Sequence, residues 1–307
     1  MSELRFDGQV AVVTGGGRGL GRAYAELLAE RGAAIVINDP GVAASGSETS
    51  PAPADECVAA IRAAGGRAVA NYASVADRAG AKSIITQALD EFGRLDIVIN
   101  NAGIPLNKTL EDCETEDYEL LMNVHFFGTM QVTKAAWPIL KKNGYGRVVN
   151  TTSSTIFGLP GWSAYGAAKG AIFAFTRAIA VEGAALGIGV NAIAPGAGTR
   201  MMLASGLDEE RVQWMQQTLP PAIVAPVAAY LAHSSCSLQG AVLSSAGGRV
   251  DRYYIGETDG IYSPSLTIEE VQAKLGAIED FSSFTPFATT DESVIHAQAL
   301  QAKIPHN

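Results

Sequence analysis

Residues 10–21 read VAVVTGGGRGLG, and this stretch decides the fold class. Its first five residues are an apolar run of strand length, and an Ala-rich segment of helix length begins at its end. Glycines between a strand and a helix permit a tight turn and let the backbone approach a pyrophosphate, which the free N–H groups of the helix N-terminus attract. We therefore expect the turn to bind a dinucleotide through Gly15, Arg18, Gly19, Leu20 and Gly21.

Further apolar runs follow this unit and alternate with segments of helix length. With Val10–Thr14, the predicted strands are Ala34–Asp39, Arg67–Asn71, Leu95–Asn100, Arg147–Thr151, Ile188–Ala194 and Ala241–Ser245. The predicted helices are Leu20–Arg31, Asp55–Ala64, Ala76–Phe92, Glu116–Lys142, Tyr165–Leu186 and Ile223–His233. Strands that are apolar almost throughout are typical of a sheet covered on both faces. The pattern predicts an α/β fold: a doubly wound, seven-stranded parallel sheet of the Rossmann type with helices on both faces.

Two segments depart from the alternation. Pro40–Pro53 is rich in Gly, Ser, Pro and Ala and is predicted to be a long loop. The alternation ends near Val250, so we expect a dinucleotide-binding catalytic domain at residues 1–250 and a C-terminal extension at 251–307. A helix near Thr267–Leu275, capped by Thr267, is expected in that extension, which would pack on the main domain or on a neighbouring subunit.

The composition excludes several classes of protein. The 307 residues are 48% apolar and carry a formal charge of −9, which excludes a disordered chain and argues against nucleic acid or an anionic membrane as a partner. Cys57, Cys113 and Cys236 are too few and too widely spaced for a disulfide framework or a metal site, so we expect no metal and a reducing, cytoplasmic location. Neither a signal peptide at the N-terminus nor a membrane-spanning run is predicted.

The ends of the second and fourth predicted strands carry polar residues suited to a nucleotide. Asp39 can accept hydrogen bonds from both hydroxyls of an adenosine ribose and would repel a 2′-phosphate, which favours NAD over NADP. Capping of the strand end is the alternative for Asp39, and Arg18 could still attract a phosphate. The residues after the fourth strand, Asn101, Ala102 and Gly103, are small and would let the nucleotide cross the sheet edge. A purely structural role for these residues is equally open.

Tyr165 and Lys169 are four residues apart in a predicted helix, so both side chains project from one face. A tyrosine with its ordinary pKa near 10 is a poor base at neutral pH, but a nearby ammonium favours the phenolate. We expect Lys169 to lower the pKa of Tyr165 and make it a general acid/base for an alcohol or a carbonyl. Small residues between the two, such as Gly166, leave room for a cofactor ring.

Taken together, these motifs resemble those of the short-chain dehydrogenase/reductase family. The motifs are TGGGRGLG at 14–21, NNAG at 100–103, Ser153, Tyr165-x-x-x-Lys169 and APGAGT at 194–199, in the family's order across about residues 6–250. A closer resemblance, carried by VIND at 36–39, ANY at 70–72 and AIAPGAGTRM at 192–201, is to the dehydrogenase part of peroxisomal multifunctional enzymes, which act on (3R)-3-hydroxyacyl-CoA.

The resemblance implies a role for individual residues. Ser153 would hold the substrate oxygen, Tyr165 would exchange the proton, and Lys169 would hold the nicotinamide ribose of NAD. Ser74 and Val75 would line the adenine pocket. The nicotinamide would be covered by Pro195, Gly196 and Thr199.

Two positions depart from the family pattern. The serine usually lies 13 residues before the tyrosine, which here is Thr152, but counting from the strand start selects Ser153, and Thr152 or Ser154 stays an alternative. His125 occupies the position of the family's catalytic asparagine. It could take part in a proton relay or orient Lys169, or it could be a buried histidine bound to a backbone carbonyl.

The predicted activity is NAD-dependent interconversion of a secondary alcohol and a ketone, on an apolar substrate such as a 3-hydroxyacyl-CoA or a hydroxysteroid. A general ketone or alcohol dehydrogenase and a non-catalytic dinucleotide-binding protein are the alternatives. A homodimer or homotetramer, built through the long helices, is implied by the resemblance. An apolar lid over the substrate is expected around Met201, Met202, Leu203 and Met215.

Overall fold

The computed structural model describes residues 3–41, 52–199 and 208–302. Most of the predicted loop Pro40–Pro53 lies outside these ranges, and so do Met201, Met202 and Leu203 of the expected lid. By its contacts the chain divides into two compact units, Met1–Arg252 and Tyr253–Asn307.

One mixed sheet forms the centre of the first unit. Its strands within the described ranges are β1 (Val10–Thr14), β2 (Ala34–Asn38), β3 (Arg67–Asn71), β4 (Ile97–Asn100), β5 (Gly146–Thr151), β6 (Ile188–Gly196), β7 (Val242–Ala246) and β8 (Arg249–Tyr253). They are hydrogen-bonded in the order β3-β2-β1-β4-β5-β6-β7-β8, and the pairs from β3 to β7 are parallel. The strand order reverses between β1 and β4, where open α/β sheets of this kind bind their ligands at the carboxyl ends of the strands.

The prediction of seven strands is wrong by one, because β8 adds an edge strand. Gly247 and Gly248 connect it to β7 with φ of +56° and +82°, the backbone of a two-residue hairpin turn. Such a short connection joins only antiparallel strands. The sequence did not reveal β8 because its residues, among them Arg249 and Asp251, lack the apolar character of a strand covered on both faces.

Helices cover both faces of this sheet. They are α1 (Gly19–Glu30), α2 (Ala52–Ala63), α3 (Arg78–Phe92), α4 (Thr115–Leu121), α5 (Gly128–Asn143), α6 (Ser163–Ala184), α7 (Glu209–Thr218) and α8 (Ala225–Ala232), with single 3-10 turns at Ser154–Phe157 and Pro221–Ile223. A π-helical turn, Met122–Phe127, interrupts the helix that was predicted as Glu116–Lys142. Helix α2 begins at Ala52, so the end of the predicted loop is helical instead.

Alternate residues of each inner strand enter two apolar layers. In β1, Val13 packs with α1, α2 and α8 on one face, and Val12 packs with α3, α5 and α6 on the other. Both residues are fully buried, which explains why the strands are apolar at successive positions.

The second unit is built of short elements. These are β9 (Gly256–Glu257), α9 (Ile268–Ala273), α10 (Leu275–Ile278), β10 (Thr285–Pro286) and α11 (Thr290–Gln301), with a 3-10 turn at Phe281–Ser283. Thr267 caps α9 as expected, since its hydroxyl accepts the N–H of Glu270 at 3.1 Å. Helix α11 was not predicted, because its sequence lacks an apolar stripe.

Candidate active site

The glycine turn after β1 is joined to the segment that follows β4. Oγ1 of Thr14 accepts the N–H groups of Asn101 at 3.0 Å and Ala102 at 3.1 Å. The amide of Asn101 donates to the carbonyls of Thr14 at 3.0 Å and Gly15 at 3.1 Å. Asn101 therefore has the structural role that the sequence left open, and it holds the turn beside β4. Thr14 was not predicted as a site residue, although it belongs to the motif TGGGRGLG at 14–21.

The turn leaves the N-terminus of α1 accessible to an anion. Gly15 has a φ of +62°, and a Cβ on Gly21 would come within 2.1 Å of the Gly15 carbonyl oxygen. Arg18 makes no side-chain cap, and no acidic residue lies in the first turn of the helix. Thr199 is close to the turn, because a Cβ on Gly19 would lie 3.3 Å from its methyl group. Free N–H groups without a competing carboxylate fit a pyrophosphate.

Asp39 follows β2 and faces the same turn. Its carboxylate accepts the N–H of Gly17 at 3.0 Å and the N–H of Gly41 at 2.8 Å. These bonds hold the carboxylate in one orientation, and a carboxylate has about four acceptor positions. Two of them remain for the hydroxyls of a ribose, so the residue fits an adenosine.

The other predicted cofactor contacts lie at the carboxyl ends of β3 and β6. Ser74 is exposed in the loop after β3, whereas Val75 is buried against Gly128 at the start of α5. Pro195 and Gly196 end β6, in register with the last two residues of β7. All of these residues are on the edge of the sheet that carries the glycine turn.

The structure brings Ser153 to Tyr165. The Ser153 hydroxyl hydrogen-bonds the Tyr165 side chain and also accepts the N–H of Thr155 at 3.1 Å. Thr152 is buried instead and donates to the Lys169 carbonyl at 2.9 Å, while Ser154 is exposed. Of the three candidates, Ser153 is the residue that meets the tyrosine.

Lys169 is buried beneath Tyr165. Its ammonium donates to the Thr151 carbonyl at 2.7 Å and lies 5.6 Å from the centre of the Tyr165 ring. Burial lowers the pKa of Lys169 to about 7. Burial also raises the pKa of Tyr165 to about 12, an effect that the hydrogen bond from Ser153 partly offsets. The expectation that Lys169 lowers the pKa of Tyr165 is therefore wrong here, because burial raises this pKa and the hydrogen bond with Ser153 offsets only part of the rise.

His125 lies in the π-helical turn and is fully buried. Its Nε2 is 2.9 Å from the Ile104 carbonyl oxygen, and its ring meets Tyr165 edge to face at 5.1 Å. Burial, together with the nearby charge of Lys169, lowers the pKa of His125 to about 3. A Cβ on Gly103 would come within 2.5 Å of the imidazole, so glycine is required there. The histidine is neutral at physiological pH and bound to a backbone carbonyl.

An apolar wall surrounds the tyrosine. The Trp162 ring meets Tyr165 edge to face at 5.3 Å. Around them the wall is formed by Ile104, Leu106, Cys113, Tyr118, Leu121, Met122, Ala164 and Ala168. The backbone of Lys108 forms a parallel bridge with Trp162 and donates to the Gly161 carbonyl at 2.9 Å, which attaches the loop after β4 to the start of α6.

Within the described ranges, no group of three or more His, Cys, Asp or Glu side chains has the arrangement of a metal site. None of the helices described there has both the length and the apolar character needed to cross a bilayer. Each of the three cysteines has a free thiol.

One edge of the sheet carries a glycine turn, an acidic residue after β2, and a group of serine, tyrosine and lysine side chains. This combination defines the class of dinucleotide-dependent α/β oxidoreductases. Residues 9–210 match the family model described as short chain dehydrogenase. The chain belongs to the short-chain dehydrogenase family, whose cofactor is a nicotinamide dinucleotide, and it is an oxidoreductase acting on CH–OH groups.

Relatives of two kinds match nearly the whole chain. Peroxisomal multifunctional enzyme type 2 of Mus musculus is 41% identical over 95% of this chain, which spans 39% of the mouse protein. A short-chain type dehydrogenase/reductase of Mycobacterium tuberculosis is 43% identical over 89% of this chain and 95% of its own length. The resemblance to the dehydrogenase part of multifunctional enzymes is thereby confirmed.

Solved structures of the same two kinds of protein are similar to this chain. The full-length peroxisomal multifunctional enzyme type 2 of Drosophila melanogaster superposes with a TM-score of 0.79 at 34% identity, over 97% of this chain and 50% of that one. A short chain dehydrogenase from Mycobacterium avium superposes with a TM-score of 0.75 at 32% identity, over 91% and 96% of the two chains.

Proposed function

We propose that this protein is an NAD-dependent dehydrogenase that interconverts a (3R)-3-hydroxyacyl-CoA and the corresponding 3-ketoacyl-CoA. The observation that carries the proposal is the hydrogen bond between Ser153 and the buried Tyr165, above the ammonium of Lys169 and beside the glycine turn. A non-catalytic dinucleotide-binding protein would have no need to bury a lysine and a tyrosine together, since burial disfavours the charged form of each.

The side chains divide the acid–base chemistry between them. Ser153 holds the substrate oxygen, and Tyr165 accepts the proton of the alcohol or donates one to the ketone. Because burial raises the pKa of Tyr165 to about 12, its side chain is a protonated phenol at neutral pH, the form that reduction requires. When bound, the nicotinamide accepts or supplies hydride at the carbinol carbon. His125 is neutral and does not exchange protons. Its hydrogen bond holds the backbone of Ile104, and its ring packs against the ring of Tyr165.

Asp39 supports NAD as the dinucleotide. Its carboxylate is held by two backbone N–H groups and has acceptor positions left for the ribose hydroxyls. A 2′-phosphate at that position would meet a negative charge, which costs binding energy unless a cation compensates. Lys169 would hold the nicotinamide ribose at the other end.

The apolar wall around Tyr165 supports a lipid-like substrate. Leu110, Phe157 and Leu159, on the two loops that flank Trp162, are more than half exposed. Exposed apolar side chains in such number indicate a surface that binds an apolar group, here the acyl chain. The names of the multifunctional relatives include a hydratase and an epimerase as well as a dehydrogenase, which fits a substrate handled as an acyl thioester.

The proposal extends to assembly and location. Leu120, Phe127 and Val181 are exposed apolar residues on α4, the π-helical turn and α6, and they would be covered in a homodimer or homotetramer. The domain assignment, with a catalytic domain at 1–250 and a C-terminal extension at 251–307, is part of the same proposal. Three free thiols fit a reducing compartment such as the cytoplasm.

The test is a panel of alcohols assayed by NADH formation. Both enantiomers of 3-hydroxybutyryl-CoA and 3-hydroxydecanoyl-CoA are compared with a hydroxysteroid and a short secondary alcohol. We expect the (3R)-hydroxydecanoyl thioester to have the highest kcat/KM, and NAD⁺ to exceed NADP⁺ by at least tenfold. Preference for the steroid or the short alcohol would contradict the substrate assignment, and NADP⁺ preference would contradict the role of Asp39.

A further inference from the structure

A chain of three side-chain amides, two of them buried and one half-buried, lies behind the adenosine end of the site. Asn38 ends β2 and is fully buried, and its amide donates to Oδ1 of Asn71 at 3.0 Å and to the Ala73 carbonyl at 2.8 Å. The amide of Asn71 donates to Gln87 of α3 at 2.8 Å, and Gln87 donates in turn to the Ala70 carbonyl at 2.9 Å. The amide chain, Asn38–Asn71–Gln87, therefore connects β2, β3 and α3.

Asn38 also contacts the other two parts of that end of the site. Its carbonyl accepts the N–H of Gly16 in the glycine turn at 2.9 Å. The next residue is Asp39, whose own N–H donates to the Asn71 carbonyl at 2.9 Å. One residue thus joins the glycine turn, the acidic residue and the loop after β3.

The loop after β3 depends on this amide chain for its path. The N–H of Ala73 donates to Oδ1 of Asn71 at 3.0 Å, and its carbonyl accepts from Asn38 at 2.8 Å. Both backbone groups of Ala73 are thus held by side-chain amides immediately before Ser74 and Val75. A backbone group in such a buried position needs a partner, because an unpaired one costs free energy.

We infer that Asn38 and Asn71 are positioning residues that set the affinity for the adenosine half of the cofactor without touching it. The inference rests on the proposed function, since it takes the dinucleotide to lie along this edge. Because the loop after β3 is already ordered in the free protein, cofactor binding does not have to lose conformational entropy to order it.

The test measures binding by calorimetry with two probes, NAD⁺ and ADP-ribose. Asn38→Leu keeps the number and branching of the side-chain heavy atoms and removes the hydrogen bonds that the amide donates. We expect its Kd for each probe to rise about tenfold, which corresponds to about 1.4 kcal/mol. In steady-state assays KM for NAD⁺ should rise to a similar extent, while kcat at saturating NAD⁺ changes less than twofold.

Asn191 of β6 provides the matched control. It is also buried and makes two comparable hydrogen bonds, to the Leu238 carbonyl at 2.9 Å and from the N–H of Ala241 at 3.0 Å. Asn191→Leu should destabilise the protein to a similar extent and leave the Kd for ADP-ribose within twofold. Equal increases in both variants, or no increase in Asn38→Leu, would overturn the inference.

Gln87→Ala keeps the inference testable if Asn38→Leu fails to fold. Gln87 lies on α3, and its loss removes the acceptor of the Asn71 amide and the donor to the Ala70 carbonyl but leaves the hydrogen bonds of Asn38 in place. We expect a twofold to threefold rise in Kd and faster hydrogen exchange at the Ala73 amide. Unchanged exchange and affinity would overturn the inference. If the unmodified protein itself binds neither probe, the proposed function fails instead, so the two failures are distinguishable.

Discussion

Burial decides the protonation state of the three titratable side chains at the site. The pKa of Tyr165 is raised to about 12, that of Lys169 is lowered to about 7, and that of His125 is lowered to about 3. In each case desolvation disfavours the charged form and is the largest cause of the shift. At neutral pH the phenol and the imidazole are uncharged, and the lysine loses its proton far more readily than an exposed lysine does.

His125 offers a test at the residue scale. His125→Phe keeps an aromatic ring beside Tyr165 but removes the hydrogen bond to Ile104, whereas His125→Asn keeps a polar group for that carbonyl. We expect kcat to fall at least tenfold in the first variant and less than fivefold in the second. Because the pKa of His125 is about 3, neither variant should change the pH profile of kcat/KM between pH 5 and pH 9.

Loss of an ionisation near pH 6 in His125→Asn would contradict this account. It would mean that the histidine titrates during turnover and acts as an acid or a base. The wild-type protein, assayed with the same alcohol over the same pH range, is the reference for both variants.

At the scale of elements, the site depends on bonds between strand ends that lie far apart in the sequence. Thr14 of β1 accepts the N–H groups of Asn101 and Ala102, which follow β4. The π-helical turn Met122–Phe127 brings His125 against Tyr165 of α6. π-helical turns inside α-helices frequently occur at functional sites.

Thr14→Val removes the acceptor and keeps the shape of the side chain. Two part-buried N–H groups lose their partner, so we expect the free energy of unfolding to fall by about 2 kcal/mol. Thr14→Ser, which retains the hydroxyl, should recover most of that loss. Urea denaturation of the three proteins measures the difference, and equal stability of the valine and serine variants would contradict the role of Thr14.

The sequence predicted the inner elements well because their apolar period is strong. Boundaries of β1 and β3 agree with the structure, as does the cap of α9 by Thr267. Strand β8 and helix α11 were missed, since each is half polar or exposed and lacks a buried stripe. The π-helical turn Met122–Phe127 was not predicted, and the stretch was taken as part of one continuous helix.

Within the site, the motifs predicted which residues are in contact but did not predict the direction of their pKa shifts. The spacing of Tyr165 and Lys169 predicted that both lie on one helix face, and they do. The direction of the tyrosine pKa shift depends on how deeply the pair is buried, which spacing alone does not reveal. The choice of Ser153 over Thr152 likewise depends on the direction of the side chains after β5.

At the scale of the whole molecule, the buried site lowers stability in a pH-dependent way. The pKa of Lys169 is about 7 in the folded protein against an ordinary value of 10.5, so the unfolded chain binds more protons between these pH values. Stability therefore rises with pH across that window. For His125, the corresponding window runs from about pH 3 to pH 6.5.

Lys169→Met isolates the contribution of the lysine. We expect Tm of the wild-type protein to rise between pH 7 and pH 9 by roughly 2–4 °C more than Tm of the variant. All other titrating groups are shared, so the difference reports Lys169 alone. A variant whose Tm has the same pH dependence as the wild type would show that the lysine is not desolvated in the folded state.

The most direct test of the account replaces Tyr165 by phenylalanine and measures NAD⁺-dependent oxidation of (3R)-3-hydroxydecanoyl-CoA. The substitution removes a single oxygen, and circular dichroism and Tm establish that the fold is retained. Because general acid–base catalysis contributes roughly 10²–10⁴ in rate, we expect kcat to fall at least a hundredfold. A kcat within fivefold of the wild-type value would contradict the claim that this phenol exchanges the proton.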